Sequence, residues 1–143
     1  MGRHALMLRS LKRPETWRGV EMSKVVHFEI PVDNEQRATA FYNDVLGWEV
    51  SRFGDGPYWL VRAGAESEPG ADGALLARDD LHRSPVLTAS VENMDDALAR
   101  VVVGGGQVVQ GKLPIPSMGW SAYIVDPEGN TIGLFQPDQR AGS

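Results

Sequence analysis

At 143 residues, of which 42% are hydrophobic, the chain is sized for one compact core. It holds no cysteine. Disulfide frameworks, thiolate metal sites and thiol nucleophiles are therefore excluded, and any chemistry falls to His, carboxylates, Arg, Tyr or hydroxyls. The net charge of −5 is unevenly spread: residues 1–22 carry five basic and two acidic side chains, and residues 23–143 carry nine and seventeen. A body at −8 argues against a nucleic-acid footprint.

The opening stretch MGRHALMLRSLKRPETWRGVE clusters Leu6, Met7, Leu8 and Leu11 among Arg and Lys, but has no h-region of secretory length. Residues 1–22 read as a disordered tail or a start extension, because MSKVV at Met22 looks like a natural start just ahead of the first strand; an Arg-rich transit peptide is the other reading. No apolar run approaches the ~18–20 residues that span a bilayer as a helix, and a cytoplasmic protein is the expectation.

Residues 23–143 are expected to form a single domain. Its first element, VVHFEIPV, alternates with period two: Phe28, Ile30 and Val32 share one face, and Val25, His27 and Glu29 share the other. A helix should follow, with Asp33-Asn34 placed to cap it, Ala38, Phe41, Tyr42 and Val45 as its apolar stripe, and Gly47 to end it. The strands PYWLVRAG and GALLARDD come next, separated by an exposed Gly-, Pro- and acid-rich loop.

The same order then recurs. Laid without a gap over residues 86–109, residues 27–50 bring together Val32 and Val91, Asn34 and Asn93, Ala38 and Ala97, Ala40 and Ala99, Gly47 and Gly106, and Val50 and Val109. The second copy is closed by GWSAYIVD and TIGLFQPD, joined by the turn sequence DPEGN. Module one runs over about 24–80 and module two over about 84–138, each βαβββ. The fold class is α+β: two tandem modules forming a curved eight-stranded mixed sheet with one helix per module on its outer face. The run VVVGGGQVV lacks the spacing of a dinucleotide loop and follows a helix, so its glycines read as punctuation.

Over roughly residues 24–138 the pattern resembles the vicinal oxygen chelate superfamily, which includes glyoxalase I, extradiol dioxygenases and bleomycin-resistance proteins. The residues that carry the resemblance are HFEIPVDNEQRATAFYNDVLGWEV, with its aromatic pair before DVLGW, and YIVDPEGNTIGLFQ. The resemblance implies a small-molecule ligand in the sheet cup and a homodimer. It also implies metal ligands on the first and last strand of each module. Here His27 matches the first such position, but Val86, Gly133 and Gly73 (aligned with Gly133 across a one-residue indel) match the others and cannot coordinate. No metal or other cofactor is therefore expected, since one imidazole does not hold a divalent ion; the alternative is a divalent metal held by the His27 and Glu29 pair with a third ligand from an Asp, Glu or His elsewhere or across a dimer.

If the alternation holds, the cup is lined by Val25, His27, Glu29, Gly73, Leu75, Val86, Thr88, Ser90, Thr131, Gly133 and Phe135. Trp59, Arg62, Thr88, Trp120, Tyr123 and Phe135 are the candidate ligand contacts, and His27 with Glu29 is the candidate catalytic pair, the carboxylate raising the imidazole pKa for acid–base work. His82, in the polar linker RDDLHRSP, and His4 are not taken as catalytic candidates. Two functions follow: a metal-independent binder of a small organic molecule, or a glyoxalase-like lyase, isomerase or dioxygenase with an unconventional site at His27 and Glu29.

Overall fold

The structure, a computed structural model, describes residues 20–143; the tail expected over residues 1–22 lies almost wholly outside them. Module one comprises β1 (Val25–Val32), α1 (Glu35–Leu46), β2 (Glu49–Arg52), β3 (Tyr58–Arg62) and β4 (Asp72–Ala77). Module two comprises β5 (Val86–Ser90), α2 (Met94–Val103), β6 (Gln107–Ile115), β7 (Gly119–Val125) and β8 (Thr131–Pro137). The strands form one sheet in the order β2-β3-β4-β1-β5-β8-β7-β6. The pairs β1·β4 and β5·β8 are parallel, and the modules join antiparallel through β1 and β5.

The two helix starts are built alike. Asn34 and Asn93 hold φ of −138° and −137°, and their side chains accept the backbone N–H of Arg37 and Asp96, each satisfying an otherwise orphaned donor of the first turn. Gly47 closes α1 in the left-handed region at φ 70°, a conformation that glycine adopts without strain.

Register fixes the two faces of the sheet. Opposed residues share a face, so the pairs His27 with Thr88 and Glu29 with Val86 place these four side chains on the cup side. The parallel partners continue that face: Glu29 lies beside Ala74, and Thr88 beside Gly133. Both members of the second pair follow the first by 59 residues, the offset already visible in the repeat. The counterpart of Gly133 is therefore Ala74 and not the expected Gly73. Gly73 sits beside Phe28 on the helix side, where a Cβ would come within 2.4 Å of the Phe28 ring. Leu75, opposite Trp59, shares that side, so Gly73 and Leu75 do not line the cup. A register shift between Val25 and His27 also turns Val26, rather than Val25, toward the cavity.

The helix side holds the cores. In module two Met94, Ala122 and Leu134 are buried, with Ala97, Leu98, Trp120 and Ile124 packed around them. In module one Trp48 stacks on Tyr42 at 4.9 Å and meets Phe28 at 5.3 Å. The α1 stripe is only half used: Phe41 and Val45 are 57% and 60% exposed, because the helix turns Tyr42 rather than these residues toward the sheet.

Candidate functional site

The concave face encloses a cavity of about 600 Å³, within the range of small-molecule pockets. Much of its wall is apolar, from Val26, Phe53, Leu60, Ile115, Met118 and Phe135. Its polar groups gather around Glu29, which is 4% exposed.

The Glu29 carboxylate has three donors. Tyr58 donates its hydroxyl to Oε2 at 2.8 Å, Tyr123 donates to Oε1 at 2.5 Å, and His82 Nε2 lies 2.7 Å from Oε1. His82, 2% exposed, has its other ring nitrogen 2.8 Å from Asp79 Oδ1. An imidazole facing a carboxylate at each nitrogen satisfies both contacts only as the cation, with both N–H groups donating. Burial opposes that charge, but the bonds and charges of Glu29 and Asp79 outweigh it and hold the His82 pKa above its ordinary value. For Glu29, burial opposes ionisation as well, and the donors His82, Tyr123 and Tyr58 prevail, so its carboxyl titrates below the usual range. Burial first, and then the Glu29 charge, push both tyrosine hydroxyls well above their usual pKa. A charged Asp79–His82–Glu29 chain thus runs from the module linker to the cup floor and holds two tyrosines by their hydroxyl protons.

His27 joins this network differently from the expected pairing. Its Nε2 lies 2.9 Å from the Tyr58 oxygen, so that hydroxyl separates it from Glu29. The Tyr58 proton is committed to Glu29, which makes His27 Nε2–H the donor to Tyr58. The expected rise in the His27 pKa is corrected as well: burial lowers it, and the opposing charges of Glu29 and Asp72 do not compensate. The neutral ring therefore carries its lone pair on Nδ1, for which the described residues supply no hydrogen-bond partner.

Of the other expected contacts, Thr88, Tyr123 and Phe135 line the cavity, and Trp59, Arg62 and Trp120 do not. Trp59, opposite Leu75, and Trp120, opposite Gln136, lie on the helix side. Trp120 packs near Met94, donates to Asp138 Oδ2 at 3.0 Å and lies under Lys112. Arg62 shares the Tyr58 face by alternation, but stands at the strand end, 67% exposed and paired with Glu49 at 3.1 Å. Sequence reasoning missed His82, because a linker has no periodicity to assign it a face. The available signal was Glu29 itself, since an acid on the inward face of a strand needs a buried partner.

The described residues around the cup do not fit a divalent metal. His27 is the only ligand-type side chain among the positions related to it by the repeat, the others being Val86, Ala74 and Gly133. Glu29 has both carboxylate oxygens engaged by donors, and among the described residues no three His, Cys, Asp or Glu side chains are placed to hold a metal ion.

Residues 24–64 match the family model described as bleomycin resistance protein-like N-terminal. The Mycobacterium bovis protein named "Putative glyoxylase CFP32" is 25% identical over 123 residues, covering 80% of this chain and 46% of that protein. The chain thus spans about half the length of the curated relatives it matches. Among solved structures, the methylmalonyl-CoA epimerase from Mycobacterium tuberculosis superposes with a TM-score of 0.59 at 20% identity, over 87% of this chain and 96% of its own. The Mn(II)-bound glyoxalase from Novosphingobium aromaticivorans does so with a TM-score of 0.55 at 21% identity, over 85% of this chain and 42% of its own. The paired βαβββ modules and the superpositions together show the glyoxalase/bleomycin-resistance fold, and the family-model match over residues 24–64 and the glyoxylase relative are likenesses that support the resemblance to the vicinal oxygen chelate superfamily.

Proposed function

We propose that this protein binds a small organic molecule in the cup without a metal. The observation that carries the reading is an apolar cavity of about 600 Å³ floored by a polar cluster whose carboxylate is already bonded to three side chains. Such a wall supplies affinity through burial of ligand surface, and a few fixed polar groups orient the guest. The positions through which the superfamily resemblance implies metal binding carry Val, Ala and Gly here, beside His27. The test is a titration with Nile red, an uncharged environment-sensitive dye. Saturable, blue-shifted emission that is lost when Ser90→Trp fills the cavity is expected; emission without saturation, or unaffected by Ser90→Trp, contradicts the reading.

A second reading, lyase or isomerase chemistry of the glyoxalase type, is favoured by one observation: the unpartnered Nδ1 lone pair of His27 at the cavity. A base held neutral near pH 7 is poised to take a proton from a carbon acid. Deuterium exchange at the α-carbon of a neutral aryl ketone, followed by ¹H NMR, should then be accelerated by the protein and lost in His27→Gln. An unaccelerated exchange leaves binding alone.

A further inference from the structure

Of the seventeen residues that line the cavity none is Lys or Arg, and the ionised side chain among them, Glu29, is negative. The cation nearest to it, His82, is already bonded at both ring nitrogens, to Glu29 and to Asp79. The remaining polar groups are of two kinds. Thr88, Ser90 and Ser121 contribute neutral hydroxyls, able to donate or accept, that make no hydrogen bond among the described residues, and His27 contributes the Nδ1 lone pair. The tyrosine hydroxyls at the floor have spent their protons on Glu29, so to a guest they present only oxygen lone pairs. An anionic guest would enter a poorly solvated space beside a fixed negative charge without a counter-charge, and that desolvation is costly. A guest with an O–H or N–H finds acceptors that are otherwise unpaired.

Resting on the proposed binding role of the cup, we infer that it selects an uncharged, largely apolar molecule carrying a hydrogen-bond donor, of the phenol type, and rejects carboxylates and phosphates. The donor is directed at the His27 and Tyr123 end, where the unshared lone pairs lie, and the apolar body rests along Phe53, Leu60 and Phe135. A bare apolar ring binds less well, because it strands the His27 lone pair.

Three probes of one shape isolate the polar group: 2-naphthol, 2-methoxynaphthalene and 2-naphthoate, titrated at pH 7 by calorimetry. The expected order places 2-naphthol first, 2-methoxynaphthalene about fivefold weaker, and 2-naphthoate at least about tenfold weaker, with all binding lost in Ser90→Trp. Amide shifts of Thr88 and Gly133 in the unmodified protein locate the probe independently of whether that variant folds. Should 2-naphthoate bind in the cup as tightly as 2-naphthol, the inference is overturned and the binding role stands. An ether that matches the naphthol removes the donor requirement. Failure of all three to bind, or amide shifts that fall elsewhere, overturns the binding role and the inference with it.

Discussion

Replacing His82 by alanine tests whether the linker is pinned to the cup by charge. The ring is 2% exposed, bonds Glu29 at 2.7 Å and Asp79 at 2.8 Å, and meets the Tyr123 ring edge-on with centroids 5.0 Å apart. Its loss leaves Glu29 buried with two neutral donors and no counter-charge. Breaking a buried pair in this way costs about 3–5 kcal/mol, which for a chain of this length lowers Tm by roughly 10–15 °C. Asp79, half exposed, loses little. A double-mutant cycle with Glu29→Leu and His82→Leu should give a coupling of about 2 kcal/mol, because the apolar pair removes both charges together. Urea unfolding followed by tryptophan fluorescence reads each arm. The pH dependence has a definite sign. The raised pKa of His82 contributes stability that is complete below its ordinary value of 6.5 and fades as pH climbs through the higher folded value. The lowered pKa of Glu29 contributes above its ordinary value of 4.5 and fades as pH falls through the lower folded value. The gap between wild type and His82→Ala should therefore be widest between those two ordinary values and narrow in alkaline solution. A loss below about 1 kcal/mol at pH 6, or a gap that widens with alkali, refutes the ion pair.

Imidazole NMR should separate the two histidines of the network, His27 titrating below 6.5 and His82 above it; coincident curves would contradict the network. Gly133→Ala should cost about 1–3 kcal/mol, since its Cβ would come within 2.6 Å of the Thr88 hydroxyl, and much of that loss should vanish in a Thr88→Ala background. Asn34→Ala and Asn93→Ala should each cost about 1 kcal/mol in urea unfolding, nearly equally, given their matched cap geometry. Sedimentation at micromolar concentration tests the homodimer that the family resemblance implies, and a monomer alone would count against it.

The fold was legible because an offset of 59 residues, read from a handful of identities, persists through the strand pairs that join Glu29 to Ala74 and Thr88 to Gly133. Alternation then assigns whole faces from a single residue. It fails where the phase breaks. The shift between Val25 and His27 exchanges Val26 for Val25, and the long loop before β4 hides the one-residue difference between Gly73 and Ala74. Trp120 and Tyr123, three apart on β7, cannot share a face, nor can Trp59 and Arg62 on β3; strict alternation already divides each pair.

The site was legible in its strands and not in its linker. His27 and Glu29 fall on the cup side from period two alone, yet a side chain's ionisation depends on partners that tertiary folding supplies. Asp79 accepts the backbone N–H groups of Leu81 and His82 as well as the His82 ring, a local turn that aims the imidazole inward before Glu29 is considered. That turn converts an apparently solvated RDDLHRSP into the cationic plug beneath the cup. With Glu29 ionised and held there, the Tyr58 proton is fixed, the His27 proton is fixed on Nε2 in turn, and the free lone pair is left on Nδ1. The polar chemistry presented at the cup floor is thus set from the module linker, through three successive hydrogen bonds, by a residue that does not itself line the cavity.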